Sequence, residues 1–205
     1  MITIPFSKYH GTGNDFVLID QRSEQYLNGE DQAAIEKICQ RHFGVGADGL
    51  ILLQNHAEAD FEMIYFNADG RESSMCGNGG RCIVAFAHHL GLFERNCTFV
   101  AIDGYHDAIY EQGQIELSMQ AVQGIQQFED YFFLNTGSPH YVSFPNDFDS
   151  VNIIKKGRSI RYSKAFQPNG TNVNFVRPIE NGIEVATYER GVEDETLSCG
   201  TGVTA

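Results

Sequence analysis

Met75-Cys76-Gly77-Asn78-Gly79-Gly80-Arg81-Cys82 is the stretch on which the reading of this 205-residue chain turns. A cysteine is followed at once by Gly-x-Gly. Beyond it, Ile83-Val84-Ala85-Phe86-Ala87 reads as a helix running to about Leu90, with Gly91 as its stop. A cysteine at a helix start faces the positive end of the backbone dipole, which favours thiolate and predicts a pKa below the free value of about 8.5. Near the other end, Ser198-Cys199-Gly200-Thr201-Gly202 repeats the pattern. Two such thiols in one chain suggest a matched pair of acid/base groups.

Outward from Cys76 the chain repeats itself. Thr12-Gly13-Asn14-Asp15-Phe16-Val17 is echoed by Thr136-Gly137-Ser138-Pro139-His140-Tyr141-Val142, and Tyr65-Phe66-Asn67-Ala68-Asp69-Gly70 by Thr187-Tyr188-Glu189-Arg190-Gly191. Gly13 to Cys76 is 63 positions and Gly137 to Cys199 is 62. Three landmarks in one order at nearly constant spacing mark a tandem duplication of one α+β unit. The halves are residues 1–121, carrying Cys76, and residues 122–205, carrying Cys199. The first half continues past its cysteine through a helix and three strands. The second stops six residues beyond Cys199, so by the internal template it is expected to be incomplete.

Within the first half, periodicity predicts strands over 16–19, 50–53, 61–66, 97–102, 106–111 and 115–119, with a helix over 31–42. Gly44-Val45-Gly46-Ala47-Asp48-Gly49 matches the dinucleotide fingerprint in spacing only. A helix precedes it and a strand follows, the reverse of the required context, so it reads as a helix stop and a tight strand entry.

Composition narrows the class. The chain is 42% hydrophobic and 20% charged, the balance of a soluble globular protein, with no run near the ~18 apolar residues of a membrane span. A net charge of -13 opposes binding to nucleic acid or anionic membranes. The start of the chain lacks the pattern of a signal peptide, which predicts a cytoplasmic protein with reduced thiols. Cys76 and Cys82 are too far apart for a structural zinc pair and no His-x-x-x-His follows, so no metal is expected. No lysine sits in a Schiff-base setting, and a mechanism without cofactors is the simpler expectation. Cys39, Cys82 and Cys97 read as core thiols.

With the halves set face to face, one thiolate could take a proton from a carbon acid while the opposite thiol delivers one to its other face. His140 and Glu189 are polar groups able to accept a thiol proton. The two helix starts could hold a substrate carboxylate on backbone N–H groups and stabilise the charge that builds up as the proton leaves.

Lys8-Tyr9-His10-Gly11-Thr12-Gly13-Asn14-Asp15-Phe16, Phe66-Asn67-Ala68-Asp69-Gly70 before Met75-Cys76, and Tyr188-Glu189-Arg190-Gly191 before Ser198-Cys199 together resemble the diaminopimelate epimerase family over the whole chain. The resemblance implies two pseudo-symmetric α+β domains, each a mostly antiparallel sheet wrapped around a central helix. It implies cofactor-independent interconversion of LL- and meso-2,6-diaminopimelate in lysine biosynthesis, and a homodimer. Carried over by motif, Cys76 and Cys199 become the acid/base pair, and His140 and Glu189 the groups that adjust them. Asn14, Gly77, Asn78, Gly200 and Thr201 would hold the reacting amino-acid centre. Asn67, Asn172 and Arg190, with Glu189, would hold the distant one, Arg190 by a bidentate fork on its carboxylate. Where the family often has Asn before Pro-His, this chain has Ser138. A related racemase acting on another small acid, or a thiol-bearing binding or redox protein, are the alternative readings. The first differs in the distal pocket. The second requires that either cysteine can be lost with little effect.

Overall fold

The computed structural model describes residues 3–119 and 121–205; Met1, Ile2 and Gln120, which the expected first half includes, lie outside the described residues. The chain divides into two compact units, Met1–Ser118 and Met119–Ala205, three residues before the expected boundary.

The first unit runs β1 (Ser7–Gly11), β2 (Asn14–Asp20), α1 (Gln32–Cys39), β3 (Gly49–Gln54), β4 (Phe61–Asn67), α2 (Gly77–His89), β5 (Asn96–Ala101), β6 (Gly104–Glu111) and β7 (Gln114–Leu117). Its seven strands lie side by side in chain order. The pairs β2/β3 and β4/β5 are parallel and the other four are antiparallel. Parallel pairs need a crossover. Helix α1 lies in the first and α2 in the second.

The apolar run Phe16-Val17-Leu18-Ile19 has a simple cause. Phe16 and Leu18 join one core with Ile51, Leu53, Met63 and the α2 residues Cys82, Ile83 and Phe86. Val17 and Ile19 join another with Leu50, Leu52, Phe66 and the α1 residues Ile35 and Cys39. Strands buried on both faces lose the alternating pattern and read as continuous apolar segments. Burying each such side chain contributes roughly 1.5–3 kcal/mol. Helix α2 packs against β1, β2, β3, β4, β6 and β7, so the sheet curls round it from both edges.

The second unit repeats this plan as β8 (Ile125–Gln127), β9 (Phe132–Asn135), β10 (Pro139–Ser143), α3 (Ile153–Arg161), β11 (Asn172–Ile179), β12 (Gly182–Glu189), β13 (Asp194–Thr196) and α4 (Gly200–Thr204). Its six strands also lie in chain order. Here β10/β11 is the parallel pair, with α3 in the crossover. The order β1-β2-α1-β3-β4-α2 therefore corresponds to β9-β10-α3-β11-β12-α4, with β13 inserted before the last helix. Tyr141, Val173, Phe175 and Tyr188 pack with Ile153 and Ile160 of α3. No helix among the described residues is long and apolar enough to cross a membrane.

Candidate active site

Cys76 and Cys199 hold the same backbone position in their units. Each is the N-cap residue of the helix after the repeat's fourth strand, with extended dihedrals of φ -99°, ψ 130° and φ -128°, ψ 106°. The Cys76 carbonyl accepts the first helical bond from Gly80 N at 2.7 Å, and the Cys199 carbonyl accepts from Val203 N at 3.0 Å. An N-cap side chain sits beside the helix's first amide groups. The glycines behind Cys76 allow close packing. A Cβ on Gly80 would come within 2.8 Å of Leu117 in β7, and one on Gly79 within 3.2 Å of Ile51 in β3.

Exposure separates Cys76 from the other four thiols. Cys39, Cys82 and Cys97 are buried, and burial pushes their pKa values up to about 11, 12 and 12. Those three are inert core thiols at neutral pH. Cys76 is half-buried. Cys199 is buried, and its pKa moves opposite to the expectation for a helix start. Burial raises it and the Glu189 carboxylate adds to the rise, while hydrogen bonds from Thr201 and Gly202 work the other way. Removal of the thiolate from water outweighs those hydrogen bonds.

In the first unit the expected residues converge on one end of the sheet. Asn14 opens β2, Gly49 opens β3 and Asn67 closes β4, and the register pairs Gly49 with both Phe16 and Asn67. Cys76 Sγ donates to Asn14 Oδ1 at 3.7 Å. Asn78, in the first turn of α2, has its Oδ1 3.3 Å from the Thr12 hydroxyl and accepts from Arg81 Nη2. Gly77 is the first residue of α2.

In the second unit Thr201 takes the place of Asn78. Its hydroxyl lies 3.4 Å from Cys199 Sγ, and its carbonyl accepts from Thr136 Oγ1 at 2.9 Å. Gly200 opens α4. His140 is fully buried on β10, and burial, reinforced by the Arg190 charge, pushes its pKa down to about 4. Its Nδ1 lies 2.9 Å from Asn174 Nδ2. Asn174 Nδ2 also donates to the Tyr141 carbonyl at 3.2 Å, which fixes the amide with its nitrogen on the side of the ring, and its Oδ1 accepts from Thr187 Oγ1 at 2.8 Å. Nδ1 is therefore the acceptor, and the neutral imidazole carries its hydrogen on Nε2. That Nε2 has no hydrogen-bond partner among the described residues. His140 thus presents a donor, where the sequence suggested a group to accept a thiol proton.

Asn172 and Arg190 form one unit of structure. Asn172 is buried, and its Nδ2 donates to Ser138 Oγ at 2.8 Å and to the Pro139 carbonyl at 3.2 Å. Its Oδ1 accepts from Arg190 N at 2.8 Å. Both amide hydrogens are committed to the protein, so Asn172 pins the turn that carries Arg190. The Arg190 guanidinium donates from Nη1 to the Asn169 carbonyl at 3.2 Å. Burial and the neighbouring Arg161 lower its pKa, with Glu193 opposing.

Sequence reasoning missed Asn174, Thr136 and Asp48. Asn174 and Thr136 act through partners more than 30 positions away, so no local motif marks them. An open cleft of about 530 Å³ in the second unit, between the β8–β9 hairpin and α3, is lined by none of the expected site residues.

The chain shares its fold with solved structures of low sequence identity. A Bacillus anthracis phenazine biosynthesis protein of the PhzF family matches 98% of this chain and 77% of its own at a TM-score of 0.68 and 15% identity. A hydroxyproline epimerase from Agrobacterium vitis, solved with bound trans-4-OH-L-proline, covers 89% of this chain and 69% of its own at a TM-score of 0.61 and 11% identity. Sequence similarity is much higher elsewhere. The diaminopimelate epimerase of Flavobacterium psychrophilum is 51% identical over 200 residues, 97% of this chain and 78% of its own length. That of Aquifex aeolicus is 45% identical over 222 residues, 98% of this chain and 78% of its own. Fold and relatives define an isomerase of the epimerase class. The family model for diaminopimelate epimerase matches residues 6–122 and 132–205, and the chain belongs to that family.

Proposed function

We propose that this chain interconverts LL- and meso-2,6-diaminopimelate by direct proton transfer at the α-carbon, with Cys76 and Cys199 as the two acid/base groups. One thiolate removes the α-hydrogen. The other thiol returns a proton to the opposite face, and the configuration inverts with no net change in protons. The observation that carries this reading is the repeated N-cap cysteine, one per unit, on matching backbone and before matching glycines. The first amides of α2, beside Cys76, are suited to the substrate carboxylate and to the negative charge that develops on it.

The roles of the remaining residues belong to the same proposal. Asn14, Gly77, Asn78, Gly200 and Thr201 hold the reacting centre. Burial raises the Cys199 pKa and the Glu189 carboxylate adds to the rise, so Glu189 adjusts that thiol. His140 supplies a fixed Nε2–H donor. Arg190 takes the distal carboxylate and Asn67 its neighbourhood, with Asn172 holding the Arg190 turn in place. A cytoplasmic homodimer completes the reading.

The direct test is to incubate the protein with LL-diaminopimelate in deuterium oxide without pyridoxal phosphate. The proposal requires meso product and solvent deuterium at the α-carbon. A dependence on added cofactor contradicts it. So does preferential turnover of a mono-amino acid over diaminopimelate, which would place the chain among the racemases of other small acids.

A further inference from the structure

Gly44-Val45-Gly46-Ala47-Asp48-Gly49 binds no nucleotide in the reading above, yet its shape is tightly specified. Gly46 has φ +81°, a conformation that favours glycine, and its carbonyl accepts from Lys8 Nζ. A Cβ on Gly49 would lie 2.6 Å from the Phe66 carbonyl oxygen, so only glycine lets β3 start this close to β4. The segment delivers Asp48 to the mouth of β3, beside Asn14 and Asp15 at the start of β2.

We propose that Asp48 is a positioning residue for Cys76: its carboxylate decides which end of the Asn14 amide faces the thiol. Asp48 Oδ2 lies 2.8 Å from Asn14 Nδ2 and 3.1 Å from Asp15 N. A carboxylate only accepts hydrogen bonds, so the end of the amide turned toward it must be the nitrogen. The oxygen is then left at the other end, 3.7 Å from Cys76 Sγ, where it accepts from the thiol. Asp48 belongs to a cluster of two carboxylates and two cations. Arg41 bridges Asp48 Oδ1 at 2.5 Å and Asp15 Oδ1 at 2.8 Å, and Lys8 lies 2.8 Å from Asp15 Oδ2. Those hydrogen bonds and charges hold the Asp15 carboxyl well below its usual range despite its partial burial. An acceptor facing the sulfur stabilises S–H over thiolate; the amide nitrogen in its place would do the reverse. Asp48 therefore sets Cys76 as a proton donor at rest, and it does so through Asn14 without touching the thiol.

This inference rests on Cys76 being an acid/base group, but its test does not use turnover. The pH dependence of iodoacetamide alkylation at Cys76, followed by peptide mass in the full chain, reads the thiol directly. Asp48→Asn frees the Asn14 amide to turn, and the alkylation midpoint moves toward acid by about one pH unit. Asn14→Ala removes the acceptor while leaving the Asp15–Arg41–Lys8 cluster in place, and it moves the midpoint the same way. In the Asn14→Ala background, adding Asp48→Asn produces little further shift. Equal shifts from Asp48→Asn in both backgrounds mean that Asp48 acts by its charge alone, and overturn the proposal. No shift in Asn14→Ala overturns it as well, and that arm decides the matter if Asp48→Asn does not fold. Full activity in Cys76→Ala would instead refute the acid/base role of Cys76, with the alkylation result still standing by itself.

Discussion

Thr136 Oγ1 donates to the Thr201 carbonyl oxygen at 2.9 Å, tying the turn before β10 to the first turn of α4, 65 positions later. In the first unit Thr12, in the matching Thr-Gly turn, approaches Asn78 Oδ1 at 3.3 Å in the first turn of α2. Thr136 reaches a backbone carbonyl, whereas Thr12 reaches a side-chain oxygen and also donates to the Gly11 carbonyl at 2.7 Å. Their surroundings differ, since Thr136 is buried and Thr12 is exposed. Thr136→Val is expected to cost roughly 0.5–1.5 kcal/mol, the loss of one buried hydrogen bond to a carbonyl that Ala205 N still satisfies, and Thr12→Val less than that. Urea midpoints of the two variants check the difference; equal losses contradict it.

The His140–Asn174–Thr187 chain predicts a pH dependence of stability. His140 is held at about 4 when folded against an ordinary 6.5. The unfolded chain therefore binds more protons between those values, and stability rises with pH across the window. The contribution is fully present above pH 6.5 and is lost as pH falls toward 4, with a total on the order of 3 kcal/mol. Urea unfolding from pH 4 to 7 should show this rise, and His140→Gln should flatten it. An unchanged slope in the variant rules the histidine out as its source.

Gly157 sits inside α3, where helix propensity alone would make Gly→Ala stabilising by about 1 kcal/mol. Packing reverses the sign. An added Cβ would lie 2.3 Å from the Tyr188 Cβ, and Tyr188 is fully buried on β12. Overpacking of this kind costs typically 1–3 kcal/mol. Gly157→Ala should lower the melting temperature, and a rise would show that α3 can move away from the sheet.

Asn172 holds the Arg190 turn by one hydrogen bond and the Ser138 turn by another. Asn172→Ala should raise KM for diaminopimelate by about tenfold, with a smaller change in kcat, since a misplaced distal anchor weakens ground state and transition state alike. A fall in kcat at constant KM would place Asn172 at the reacting centre instead.

The first unit was legible in the sequence because β2 and β3 are buried on both faces and give continuous apolar runs, and because Gly91 ends the segment that carries α2. Strand β1 escaped notice: its Lys8-Tyr9-His10 has no apolar pattern, and only the two-residue Thr12-Gly13 turn pairs it with β2. The second unit is harder to read. Helix α3 runs Ile-Ile-Lys-Lys-Gly-Arg-Ser-Ile-Arg, with a central glycine that speaks against a helix until Tyr188 is seen packed on it. Strand β11 carries Asn172 and Asn174, polar residues that depress a strand signal and that become intelligible only when register sets them beside His140 and Val142. The cysteine pair was visible because it repeats. The direction of the Cys199 pKa was not, because the helix dipole is a local property and burial belongs to the folded unit.

The central claim is that both thiols carry the inversion, and α-hydrogen exchange in deuterium oxide tests it most directly. With LL-diaminopimelate as substrate, Cys76→Ala and Cys199→Ala should each abolish formation of the meso isomer while the variants stay folded by circular dichroism. Wild-type activity in either variant would contradict the two-thiol mechanism.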